Sequence, residues 1–139
     1  MSRTSLFVTL SLLLLLSCEE GNITNCNYCY TSNDYDVVLH IRYRNLKNVP
    51  MNPVVTLYEG NISDSIILEK YYITDPYSGI DYYAMLYKDY SATLEFTLGG
   101  RKYKTTAAAC PKVRYDETTC EEPCWYVYDN IIDLRLRFD

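Results

Sequence analysis

Residues 35 to 43, YDVVLHIRY, alternate without a break: Val37, Leu39, Ile41 and Tyr43 fall on one side, Val38, His40 and Arg42 on the other. Successive side chains of a strand point to opposite faces, so this period of two predicts a strand with one buried and one wet face. The pattern recurs. VVTLYEG (54–60), SIILEKYYI (65–73), DYYAMLY (81–87), ATLEFTL (92–98), RKYKTTA (101–107) and IIDLRLRF (131–138) read as further strands. In the last of these Ile132, Leu134, Leu136 and Phe138 take the core side, and Asp133, Arg135 and Arg137 the water side. Turns are expected at NVPMNP (48–53), Gly60-Asn61 and TDPYSG (74–79), where proline, glycine and asparagine cluster. Gly99-Gly100 predicts a two-residue hairpin, whose backbone needs positive φ at both positions. Residues 108 to 123 read as a cysteine-bearing loop, and Trp125 to Tyr128 either extend the last strand or form a separate one. No segment shows a convincing helical period.

Strand-only chains of this size close their hydrophobic faces as sandwiches or small barrels. About seven short strands with turns of mixed length predict an all-β, antiparallel, Ig-like or transthyretin-like sandwich over residues 35–139. Lys102, Lys104, Arg135 and Arg137 suit the exposed edges of such sheets, because charge discourages edge-to-edge pairing.

The first 17 residues stand apart. Arg3 precedes a mostly apolar block from Leu6 to Leu16, the pattern of a secretory leader. The block falls short of the roughly 20 apolar residues that span a bilayer. Leu15-Leu16-Ser17-Cys18 resembles the lipobox of bacterial lipoproteins, although Leu16 is bulkier than that pattern usually carries. The resemblance implies that the chain is cut before Cys18 and that the Cys18 sulfur carries a diacylglycerol. Two or more acyl chains hold a domain stably at a membrane where one does not. Glu19-Glu20 resembles the surface-export signal of Bacteroidota lipoproteins. Residues 1–17 are thus expected as a removed signal peptide, 18–34 as a lipidated N-terminus and tether, and 35–139 as the folded domain. The implied address is the outer membrane, facing the cell surface.

Without its leader the chain has 122 residues (139 − 17), enough for one domain with a core. Losing Arg3 leaves 12 basic against 18 acidic residues, a formal charge of −6. Nucleic acid is excluded as a partner on that ground, since phosphate binding needs a basic surface. The strand VTLYEGNISDSIILEK, the later Gly-Gly-x-x-Tyr hairpin and a cysteine-rich loop before a charged last strand also resemble small Bacteroidota lipoproteins as a pattern. That resemblance carries no catalytic residues.

With Cys18 lipidated, five cysteines remain. Cys26 and Cys29 (CNYC) sit ahead of the domain; Cys120 and Cys124 (CEEPC) sit before its last strand. An exported domain lives in an oxidising compartment, so disulfides between the two clusters are expected. Closing a loop of roughly 90 residues is worth on the order of 4 kcal/mol in the entropy account. Cys110 is left as the free-thiol candidate. Were Cys18 unlipidated, six cysteines could form three bridges. Zinc is the alternative, because the two pairs have ligand-like spacings. The long interval and the oxidising compartment favour disulfides, so no metal and no cofactor is expected.

No motif for catalysis appears. There is no G-x-S-x-G, no P-loop and no H-E-x-x-H, and His40 is the sole histidine, read as a solvated surface residue. The chain is therefore expected not to be an enzyme. Tyrosine is the outlier, at 16 residues. Tyr71-Tyr72 and Tyr82-Tyr83 are adjacent pairs on strands, so one of each pair must face outward. Tyr77 lies in the turn between them. Exposed tyrosines offer flat apolar area with a polar tip, which suits a protein or glycan partner. Asp64-Ser65-Ile66 resembles a short Bacteroidota O-glycosylation motif, which makes Ser65 a candidate site. The expected function is a membrane-anchored, non-enzymatic binding or accessory module. The alternative is a structural subunit of an envelope or fimbria-like assembly.

Overall fold

The computed structural model describes residues 26–29, 36–43, 51–75 and 78–135. Among them are nine strands and no α-helix: β1 (Asp36–Arg42), β2 (Met51–Glu59), β3 (Ile67–Tyr72), β4 (Ile80–Met85), β5 (Tyr90–Leu98), β6 (Arg101–Ala109), β7 (Lys112–Asp116), β8 (Cys124–Tyr128) and β9 (Ile131–Asp133). They form three sheets, ordered β4-β1-β9, β3-β2-β5-β6 and β7-β8. Every pair is antiparallel except β1 with β9, which is parallel.

The alternation in β1 is realised in full. Val37, Leu39, Ile41 and Tyr43 are buried, while Val38 and His40 are half-buried and Arg42 is exposed. Leu39 and Ile41 join Ala84 of β4, Ile132 of β9 and Leu134 in one core cluster with Val55, Leu57, Ala92, Leu94 and Phe96 of the four-stranded sheet. The inner faces of the two larger sheets thus share a single core. Each fully buried aliphatic side chain contributes roughly 1.5–3 kcal/mol by leaving water. Tyr90 closes one end of the core: its ring is buried and its hydroxyl accepts a 2.9 Å hydrogen bond from the Met85 N–H.

The outer face of the four-stranded sheet is less conventional. Thr93 points away from the core yet is fully buried, in register with Thr56 and Thr106 on either side. Its hydroxyl has no hydrogen-bond partner among the described residues. A buried, unsatisfied hydroxyl costs about 1–3 kcal/mol.

Gly99 (φ 56°) and Gly100 (φ 77°) both occupy the left-handed region and join β5 to β6, as the hairpin requires. Three expectations need correction. The stretch 51–53 belongs to β2 and not to the preceding turn; the strand gains one residue between Met51 and Val54 relative to β5. That bulge accommodates Pro53, which has no N–H for the ladder. Residues 108–123 are not one loop, because β6 runs to Ala109 and β7 forms a separate hairpin with β8. The count is consequently nine strands in three sheets, not about seven. Trp125–Tyr128 belongs to its own strand, and β9 ends at Asp133. Leu136, Arg137 and Phe138 lie outside the described residues.

Candidate binding surface and cystine cluster

Both tyrosine pairs split as strand geometry demands. Tyr71 and Tyr82 turn inward and pack against the core, whereas Tyr72 and Tyr83 are 74% and 78% exposed. Their surroundings disfavour ionisation of both inner rings. The Tyr71 hydroxyl donates to Glu69 Oε2 at 2.6 Å, and burial, then that bond, raise its pKa well above the usual range. Burial, then the neighbouring Tyr90, raise Tyr82, whose ring meets Tyr90 edge-on at 6.1 Å. The outer two do not converge. Tyr72 lies on β3 and Tyr83 on β4, in different sheets, and both project away from the shared core. Tyr77 lies outside the described residues.

Tyr83 sits in an apolar patch on the outer face of the β4-β1-β9 sheet. Val38 is its cross-strand partner, and Met85, two residues along, is 60% exposed on the same face. Ile131 of β9, 39% exposed, lies beside His40. Directly opposite residues in a ladder project to the same side, so Met85, Tyr83 and Val38 adjoin on this face, with exposed Asp36 opposite Met85 and with Ile131 on the far side of β1, opposite His40. Its polar margin is His40, whose Nδ1 lies 2.7 Å from Asp81 Oδ1 across the strand pair. His40 is thus a paired, half-exposed residue and not an isolated one. Alternation put Val38 on the wet face; that β9 lies parallel beside β1 and adds Ile131 is not visible in local sequence.

The second site is built by the cysteines. Cys26 is bonded to Cys120 and Cys29 to Cys124, with Cα–Cα distances of 5.7 and 5.2 Å. These bridges tie the segment ahead of β1 to the loop of the β7–β8 hairpin. The two cystines touch: Cys29 Sγ lies 3.6 Å and Cys124 Sγ 4.0 Å from Cys120 Sγ. Asp116, opposite Cys124 at the hairpin end, organises the loop that delivers Cys120. Its carboxylate accepts the Thr118 N–H at 2.8 Å, the Thr119 N–H at 3.0 Å and the Thr119 hydroxyl. The Thr119 hydroxyl first, then the two backbone N–H groups, lower its pKa to about 2. A depressed carboxylate favours the folded loop above the unfolded pKa and loses that contribution as pH falls through the folded one. The Thr118 and Thr119 amide resonances are expected to hold their position from neutral pH to about 4 and to move with a midpoint near 2. Asp116→Asn should abolish that titration; a midpoint near 4 in the wild type would contradict the bonding seen here.

Cys110 is the free thiol among the described residues and lies at the opposite end of the hairpin, just before β7. Burial, then a hydrogen bond to Asp89, push its pKa up, which suppresses the reactive thiolate. Ser65 is exposed in the left-handed region (φ 59°), directly after a 3₁₀ turn at Ile62–Asp64. Cys18 lies outside the described residues. Two disulfides suggest an extracytoplasmic protein, because the cytosol keeps thiols reduced. No family model matches the chain, and no curated protein or solved structure matches it either.

Proposed function

We propose that the chain is an outer-membrane lipoprotein anchored through Cys18. Its β domain serves as a non-enzymatic binding or accessory module for a protein partner or glycan. The observation that carries this reading is the exposed aromatic on the outer sheet face: Tyr83, 78% accessible, beside Val38 and Met85, with Ile131 on the same face across β1. Clustered apolar area rimmed by polar groups marks interaction surfaces more often than scattered apolar residues do. The His40–Asp81 pair supplies hydrogen-bonding groups at that rim.

A transthyretin-like sandwich is the architecture we favour. In an Ig-like order the first two strands share a sheet. Here β1 and β2 lie in different sheets, which supports the other reading. The alternative function, a subunit of an envelope or fimbria-like assembly, draws on β4. That strand ends its sheet, pairing with β1 alone among the described residues, and so offers an edge to which a partner's strand could add.

The test is competition on envelope fractions from the protein's own source. Labelled wild-type protein should bind saturably and be displaced by unlabelled wild type. Tyr83→Ala should displace about thirtyfold less well, the effect of losing an anchor worth about 2 kcal/mol. Tyr72→Ala, on the other sheet, should compete like wild type. Equal competition by all three proteins would sink the assignment of this face. An intact mass starting at Cys18 with added acyl groups checks the anchor independently.

A further inference from the structure

We propose that the four clustered cysteines form a two-state site: a pair of disulfides when oxidised, and a tetrathiolate zinc site when reduced. The argument is geometric. Zinc holds thiolates at about 2.3 Å in a tetrahedron, so neighbouring sulfurs in such a site stand about 3.8 Å apart. The contacts between the two cystines already have that spacing, 3.6 Å for Cys29–Cys120 and 4.0 Å for Cys124–Cys120. The sulfurs of Cys29, Cys120 and Cys124 lie within 4.8 Å of one another; Cys26 Sγ falls outside that group and is tied to it through its bond to Cys120. Once its bond to Cys120 is reduced, Cys26 Sγ must swing toward Cys29 and Cys124 to take the fourth vertex, a rotation its place in an irregular segment ahead of β1 permits.

The sequence spacing agrees. Cys26 and Cys29 are separated by two residues and Cys120 and Cys124 by three, which lets each pair bite one metal from one loop. Cys26–Tyr28 is a 3₁₀ turn, and residues 117–123, which carry Cys120, link β7 to β8 outside regular structure, while Cys124 is held as the first residue of β8, opposite Asp116. Cys124 is buried and Cys29 and Cys120 are half-buried, the partial desolvation that strengthens a metal–thiolate bond.

The conversion balances with a phosphine reductant. Two phosphines and two waters turn the two disulfides into four thiols and two phosphine oxides. One Zn²⁺ then replaces four protons, leaving a zinc tetrathiolate of charge −2. The metal state belongs to the reduced chain, whether newly made or reduced later by a dithiol. It holds the segment ahead of β1 against the hairpin loop as the disulfides do, so the two states exchange the same connection between different bonds.

The experiment reduces the purified full chain with a phosphine in the absence of air and adds Zn²⁺ or Co²⁺. The expected result is one metal per chain, with thiolate-to-cobalt absorption and the intense visible bands of tetrahedral cobalt. Alkylation of the zinc-loaded chain, prolonged until the slowly reacting Cys110 is modified, should spare Cys26, Cys29, Cys120 and Cys124. Cys110→Ser should keep the cobalt spectrum and Cys120→Ser should lose it. The alkylation pattern needs no variant, so misfolding of Cys120→Ser does not obscure the answer. Alkylation of all four clustered cysteines in the presence of zinc, or a cobalt spectrum unchanged by Cys120→Ser, would overturn the proposal.

Discussion

Replacing all four clustered cysteines with alanine is expected to cost about 7 kcal/mol, while removing either bridge alone costs about 2.5 kcal/mol. The asymmetry follows from the loops. Each bridge spans a long interval, 94 and 95 residues. While one remains, that interval is still closed, and the other adds only a ring of about nine residues, worth about 2.5 kcal/mol in the chain-entropy account. When the last bridge goes, a further loss of about 4.7 kcal/mol follows as the long loop opens. A domain of this size has about 5–15 kcal/mol of total stability, so the four-alanine chain approaches the point of unfolding. Urea unfolding of Cys26→Ala with Cys120→Ala, Cys29→Ala with Cys124→Ala, and all four together decides the matter. If the combined loss equals the sum of the two separate losses, the bridges do not share one loop and the account is wrong. The slope of the transition should also steepen when both are gone, because an unclosed chain exposes more surface.

Leu94→Ala should cost about 3–4 kcal/mol and lower the melting temperature by about 15–25 °C. Leu94 is fully buried on β5, an inner strand of the four-stranded sheet, and packs in the cluster shared with the β4-β1-β9 sheet. Truncation removes methyl groups from the seam between the sheets, where two hydrogen-bonded ladders resist collapse into the cavity. Tyr83→Ala and Tyr72→Ala are the contrasting changes. Both side chains are more than 70% exposed, and their loss should move stability by no more than about 0.5 kcal/mol. A loss of several kcal/mol at Tyr83 would mean that its ring serves the fold, and its role in binding could not then be read from competition. A cost under 1 kcal/mol at Leu94 would mean that the two sheets do not share one core.

Much of the fold was legible locally because the strand period is a local property. Leu39 and Ile41, Ile132 and Leu134, and the outward turn of one tyrosine in each pair all follow from which way a side chain points, whereas which tyrosine turns outward was settled by the core face. The Gly99-Gly100 hairpin was equally legible, since only a residue without a Cβ takes positive φ at no steric cost. Failures came where a strand was short or broken. Lys112–Asp116 is five residues beside a proline and among the described residues pairs with β8 alone, so its identity depends on partners eight to 16 positions away. Met51–Pro53 reads as a turn because proline punctuates turns, but a bulge absorbed it. At the candidate sites the cysteine spacings announced two clusters. The pairing of Cys26 with Cys120 and Cys29 with Cys124, and the contact between the cystines, are facts of tertiary structure.

Alternation, composition and spacing alone therefore determined that this chain is all-β, that Val37, Leu39, Ile41 and Tyr43 face a core, and that two cysteine pairs bracket the domain. They act over two to four residues, and covalent geometry transmits them without knowledge of the rest of the chain. Which strands become neighbours was decided only in three dimensions. The parallel meeting of β1 and β9 brings Ile131 beside the Tyr83 face, and separate sheets carry Tyr72 and Tyr83 apart. Those placements depend on burying apolar faces contributed by segments far apart in the chain, information that no local stretch of sequence contains.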